Sequence, residues 1–209
     1  MRISIILGHP KSGSFNHAIA AAAREQLLAN GHEVDFHDLY MEGFDPLLSP
    51  DELVSGGSVP EWLAKYCAEA AVADGFIIVH PNWWGQPPAI LKGWVDRVLR
   101  AKIAYQFLEG DGGEGIPVGL LRAKVAIVLN TSNTPEGREQ EAFGDPLEAL
   151  WKRCIFPFCG VADVDRRMFR VVVTSTEVDR RRWLDEVRSL VERRFGVTNV
   201  SPRRCLTSR

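Results

Sequence analysis

The 209 residues are 45% hydrophobic and 25% charged, the balance of a soluble globular chain long enough to bury a sizeable core. A formal charge of −2 sets up no field that would recruit nucleic acid or a membrane surface, and no apolar run reaches the length of a bilayer span. Cys67, Cys154, Cys159 and Cys205 form no C-x-x-C pair, so a reduced, cytoplasmic protein is expected.

Residues 2–7 are an apolar strand, too short for the core of a signal peptide. His9-Pro10-Lys11-Ser12-Gly13-Ser14-Phe15-Asn16 follows as a loop. Asn16 is the expected cap of a helix over 18–28, which Asn30-Gly31 ends. Val34 and Phe36 alternate with polar residues, as in a strand near a sheet edge. Residues 38–60 are irregular, and 61–73 carry a second helix. Residues 76–79, Phe-Ile-Ile-Val, are a strand covered on both faces. Ala89, Ile90, Trp94, Val95, Val98 and Leu99 then recur on one helical face, with Pro88 at its start.

Residues 102–122 form a long glycine-rich connection. A strand is expected over 124–130, a helix over 139–154 broken near Gly144-Asp145-Pro146, a last strand over 168–173 and a closing helix over 177–195. Gly110 to Gly115 matches G-x-G-x-x-G only formally. No strand feeds it, and Pro117 and Gly119 follow where a helix should start. It reads instead as a loop near the mouth of a site, with Tyr105 and Phe107 as side chains that could face a ring. Residues 166–209 hold twelve arginines against five acids, the pattern of a solvated helix face without a nucleic-acid motif. No metal site is expected, because His17, His32 and His37 have no evident partner ligands.

Strand–helix alternation repeated about five times implies one domain over 1–209. Its parallel sheet would be wrapped on both sides in the flavodoxin-like order 2-1-3-4-5. The switch point between strands one and three brings the loops at 9–16 and 81–87 together. The first opens a helix, where free backbone N–H groups and the helix dipole suit a phosphate. The second places Trp83 and Trp84 where core packing does not require them.

The string Pro81-Asn82-Trp83-Trp84-Gly85, followed by Pro88-Ala-Ile-Leu-Lys-Gly-Trp-Val-Asp-Arg-Val98, resembles the flavin-dependent NAD(P)H:quinone reductases. That family includes DT-diaphorase and the ancillary reductases of bacterial potassium-efflux systems. The loop ending in Ser14-Phe15-Asn16 resembles the family's His-Pro-x-x-x-Ser-Phe-Asn segment. The resemblance implies that this loop holds the flavin phosphate or pyrophosphate, with His9, Ser14, Phe15 and Asn16 contacting the cofactor, and that Pro81, Asn82, Trp83, Trp84 and Gly85 lie along its ring. It implies that Asn130, Thr131, Ser132 and Asn133 cup the pyrimidine end. Arg181 would meet the adenylate half of FAD, the expected cofactor, with FMN as the alternative. Residues 134–139, Thr-Pro-Glu-Gly-Arg-Glu, lack the Tyr and His found there in DT-diaphorase, so no catalytic proton donor is named.

The implied activity is hydride transfer from NADPH or NADH to a quinone-like acceptor, in two half-reactions and in a homodimer. A flavodoxin-type electron carrier and a regulatory subunit of a membrane transporter are the rival readings.

Overall fold

The computed structural model describes residues 1–53, 59–108, 110, 115 and 117–196. Cys205 and most of the glycine-rich stretch after Phe107 lie outside the described residues. Five parallel strands form the sheet: β1 (Arg2–Leu7), β2 (Glu33–Asp38), β3 (Gly75–Pro81), β6 (Val125–Ser132) and β7 (Asp163–Arg170). The intervening β4 (Tyr105–Gln106) and β5 (Val118–Gly119) make a separate antiparallel pair. The order β2-β1-β3-β6-β7 is the expected 2-1-3-4-5 topology when only the sheet strands are counted.

Both faces of the sheet are covered. Along β3, Phe76 and Ile78 join one core while Ile77 and Val79 join the other. This is the period-two alternation of a strand buried on both sides, so its sequence is apolar throughout. On one side pack α1 (Phe15–Ala29) and α8 (Glu177–Phe195). On the other pack α3 (Glu61–Val72), α4 (Ala89–Val98) and a segment of short helices. That segment consists of α6 (Pro146–Ala149), a π-helical turn (Leu150–Ile155) and α7 (Phe156–Phe158), and α5 (Glu136–Phe143) precedes it in the chain. The break expected near Gly144 falls at two left-handed residues, Gly144 and Asp145.

Two boundaries differ from expectation. Ser14, not Asn16, caps α1, because the Ser14 hydroxyl accepts the N–H of His17 and the helix has begun by Phe15. The last strand starts at Asp163, ahead of the apolar run at 168–173. On a sheet edge, charged residues such as Arg166 and Arg167 guard the strand and hide it from a hydrophobicity reading.

Close packing behind the strand ends is specific. A side chain at Gly93 of α4 would approach the backbone of Pro46 to 2.4 Å, so only glycine fits there. Nearby, Glu52 of α2 (Pro50–Leu53) holds Arg97 of α4 through two bonds of 2.7 and 3.2 Å. Arg97 also donates to the Asp45 carbonyl at 2.6 Å. Both charged side chains are almost wholly buried, which is tolerable only because each is multiply paired.

Candidate functional site

The carboxyl ends of β1, β3, β6 and β7 open onto a cleft of about 520 Å³. The β1–α1 loop contributes His9, Lys11, Gly13, Ser14, Phe15 and Asn16. The loop after β3 contributes Pro81, Asn82 and Trp83, and the end of β6 contributes Thr131, Ser132, Asn133 and Thr134. Val172, Val173 and Arg180 close the far end. This is the switch point of the sheet, where open α/β folds bind ligands. A larger cavity of about 660 Å³ lies between α5, β7 and α8, away from the three loops. Its Arg166 is already paired with Asp145 and Glu148, so the strand-end cleft is the better candidate.

Thr131 fastens the loops together. Its hydroxyl oxygen accepts Asn16 Nδ2–H at 2.9 Å, and its carbonyl accepts Asn82 N–H at 2.7 Å. Asn16 is 3% exposed, and its Oδ1 has no partner among the described residues. A buried orphan acceptor lining a cleft calls for a ligand donor. The N–H groups of Ser12, Gly13, Phe15 and Asn16 likewise have no partner among the described residues. Three of these, on Gly13, Phe15 and Asn16, belong to residues lining the cleft at the start of a fifteen-residue helix, the kind of donor set that suits a phosphate.

His9 stands at the cleft edge, its ring centroid 6.3 Å from that of Trp83. Its Nδ1 accepts the N–H of Lys11 at 3.1 Å, and burial holds the imidazole below its ordinary range. Ser132 Oγ accepts Thr134 N–H at 3.0 Å, and Asn133 Oδ1 accepts Val173 N–H at 2.9 Å. These bonds shape the β6 loop around the cleft. A flavin fits this donor set: an anion cradle at one end, a flat aromatic wall at the centre and a polar rim of hydroxyl and amide groups at the other.

Several expected residues sit elsewhere. Trp83 and Gln86 exchange backbone bonds of 3.0 and 2.9 Å across Trp84 and Gly85, both at positive φ. That is a tight two-residue hairpin, and it throws the Trp84 side chain fully into solvent. Trp84 and Gly85 line a separate apolar hollow of about 470 Å³ with Phe143 and Pro146, not the cleft. Asn130 is wholly buried beneath the site, bonded to His80 and Arg166. Arg181 is 71% exposed and pairs with Glu177, whereas Arg180 reaches the cleft. Tyr105 packs edge-on against Phe158, and neither Tyr105 nor Phe107 lines the cleft.

Reading the sequence also missed a line of three side chains. His17 bridges Ser14 and Asp38 with contacts of 2.8 and 2.9 Å. Asp38 ends β2, the strand beside β1, and the parallel register was the only signal that could have brought it there.

The family model for the flavodoxin-like fold matches residues 1–190. An NAD(P)H oxidoreductase of Haemophilus influenzae, named as uncharacterised, is 35% identical over 172 residues, covering 79% of this chain and 81% of that protein. NAD(P)H dehydrogenase (quinone) 1 of Cavia porcellus is 36% identical over 126 residues, covering 51% of this chain and 46% of that protein. The match therefore spans about half the length of the mammalian enzyme. Among solved structures, the NAD(P)H:quinone oxidoreductase of Methanothermobacter marburgensis superposes with a TM-score of 0.80 at 25% identity. That superposition covers 94% of this chain and 98% of that one.

Proposed function

Because the chain belongs to the flavodoxin-like NAD(P)H:quinone reductase family, we propose that it binds a flavin in the strand-end cleft and passes hydride from NADH or NADPH to quinones or similar acceptors. The observation that carries this reading is the meeting of three loops on Thr131, with the orphan Asn16 Oδ1 and the unpaired N–H groups of Gly13, Phe15 and Asn16 all on residues that line one cleft.

The chain's own residues bind and orient. The α1 cradle with Ser14 takes the phosphate, and Asn16 and Phe15 guide the part of the cofactor next to it. Pro81, Asn82 and Trp83 give the ring a flat wall. Backbone and hydroxyl donors at 131–134 face its pyrimidine end, where fixed dipoles stabilise developing negative charge at little cost in reorganisation. When bound, the flavin supplies the two-electron chemistry that no side chain here provides.

FMN is favoured over FAD as the occupant. The cleft has one anion cradle, and Arg181, the residue expected to meet an adenylate, points to solvent. Arg180 lies at the rim, but Ser175 already engages it with bonds of 2.9 and 3.2 Å. A homodimer is part of the proposal, and it would cover the exposed Trp84 and Phe143. Heat release of the bound cofactor and its chromatographic identification test the assignment. FMN is the expected product, FAD would revise the choice of flavin, and no flavin after reconstitution would defeat the reading.

A further inference from the structure

Ser14, His17 and Asp38 form a hydrogen-bonded line behind the phosphate cradle. His17 Nε2 lies 2.9 Å from Asp38 Oδ2, and His17 Nδ1 lies 2.8 Å from Ser14 Oγ. Asp38 is 9% exposed, and its other oxygen accepts Met41 N–H at 3.2 Å. A carboxylate only accepts, so Nε2 carries the hydrogen on that side. The neutral ring then has a bare Nδ1, and the Ser14 hydroxyl must donate to it. Ser14 Oγ also accepts the backbone N–H of His17 at 3.4 Å. In this state Ser14 offers the cleft a lone pair and no hydrogen. A phosphate oxygen in the cradle would face a repelling acceptor at the one side chain best placed to bind it.

We infer that His17 is a proton-linked positioning residue for the cofactor phosphate: binding of the phosphate at the start of α1 takes up one proton on His17 Nδ1. The proton comes from solvent. The new Nδ1–H donates to Ser14 Oγ, and the Ser14 hydroxyl hydrogen turns to a phosphate oxygen. Asp38 accepts Nε2–H in both states and balances the imidazolium charge.

The inference rests on the flavin reading of the cleft. The orphan acceptor of Asn16 is independent evidence that a ligand belongs there. Among the described residues, His9 is the titratable group next to the line, with Lys11 beside it in turn. The His9 ring centroid is 6.1 Å from that of His17. A proton on His9 Nδ1 would exchange the bond from Lys11 N–H for one to the Lys11 carbonyl at 3.3 Å, but burial holds the His9 imidazole below its ordinary range, so His9 is the poorer acceptor of the linked proton.

The test is calorimetric titration of FMN into the full-length, flavin-freed protein at several pH values between 5 and 8, the range in which imidazoles titrate. Buffers of different ionisation enthalpy count the protons taken up. FMN brings a phosphate that titrates near pH 6, so the comparison is between the wild type and variants. The wild type should take up as much as one proton more than His17→Asn above pH 7. Its affinity should fall with rising pH by up to tenfold per unit more steeply. Ser14→Ala, which keeps His17 and Asp38, should lose the same extra uptake and serves if His17→Asn does not fold. Equal proton counts in the wild type and a folded variant, with FMN bound, overturn the relay and leave the flavin reading standing. Failure of the wild type to bind either FMN or FAD overturns the flavin reading and the relay with it.

Discussion

Trp151 donates its indole N–H to Nε2 of His80 across 3.0 Å, in the closed core beneath the cleft. Asn130 Nδ2 lies 2.9 Å from the same nitrogen. Indole nitrogen is only a donor, so His80 Nε2 is bare and the ring hydrogen sits on Nδ1, which donates to the Pro81 carbonyl at 2.8 Å. A neutral imidazole thus braces Pro81, the first residue of the cleft-lining loop after β3.

This tautomer has a consequence for acid stability. Burial lowers the His80 pKa from 6.5 to about 4. Between those values the unfolded chain binds a proton that the folded chain refuses. The His80 contribution is therefore complete above pH 6.5 and is lost as pH falls toward 4, a difference of about 3 kcal/mol. Urea unfolding from pH 7.5 to 4 should show this slope. His80→Gln, whose amide oxygen still accepts from Trp151, should lack it. Parallel slopes for the two proteins would contradict the assignment.

Arg97 belongs to the stretch that resembles the reductases, yet its work is structural. Burial alone would raise the Glu52 carboxyl, but bonds from Arg97 and Ser49 together hold it below its usual range. Removing Arg97 leaves the buried Glu52 carboxylate, among the described residues, with only the Ser49 N–H at 3.2 Å and Arg100 at 3.5 Å. Arg97→Met should cost about 3–5 kcal/mol in chemical denaturation, and Glu52→Leu/Arg97→Met should recover much of that. A loss under 1 kcal/mol for the single variant would show that the pair is not closed to water.

The paired tryptophans should separate cleanly. Trp83→Ala removes the wall of the cleft and should weaken FMN binding about tenfold, a loss of one aromatic contact. Trp84→Ala should leave FMN affinity within about twofold, because that side chain lies outside the cleft. Fluorescence titration of FMN distinguishes them, and equal losses would place Trp84 against the cofactor after all.

That pair also shows how far the sequence could be read. The apolar run at 76–79, the helical spacing at 89–99 and the order of strands were legible because burial on both faces and helix periodicity mark single residues. The three loops were legible as loops, and their meeting followed from topology. Which of two adjacent side chains enters the cleft was not. A hairpin turn sets the choice between Trp83 and Trp84, and helix phase sets it between Arg180 and Arg181. An error of one residue in either reverses the direction of a side chain. The lines from Ser14 to Asp38 and from His80 to Arg166 join distant segments through polar atoms, for which periodicity carries no signal.

Steady-state kinetics should reflect the shape of the site. On the proposed reading the loops at 81–86 and 131–134 would flank the flavin ring and leave nicotinamide and a quinone one open face to use in turn. Both need contact distances of about 3–3.5 Å to react, which excludes simultaneous stacking there. Double-reciprocal plots with NADPH and benzoquinone should give parallel lines. Intersecting lines would show that both substrates bind together.

The most direct test of the central claim is a single-turnover experiment without oxygen. Protein loaded with flavin is mixed with one equivalent of NADPH or NADH, and the visible flavin absorbance is followed. The account predicts that it bleaches within seconds and returns fully on adding one equivalent of benzoquinone. A flavin that neither nicotinamide bleaches, as for an electron carrier that needs a protein partner, would contradict it.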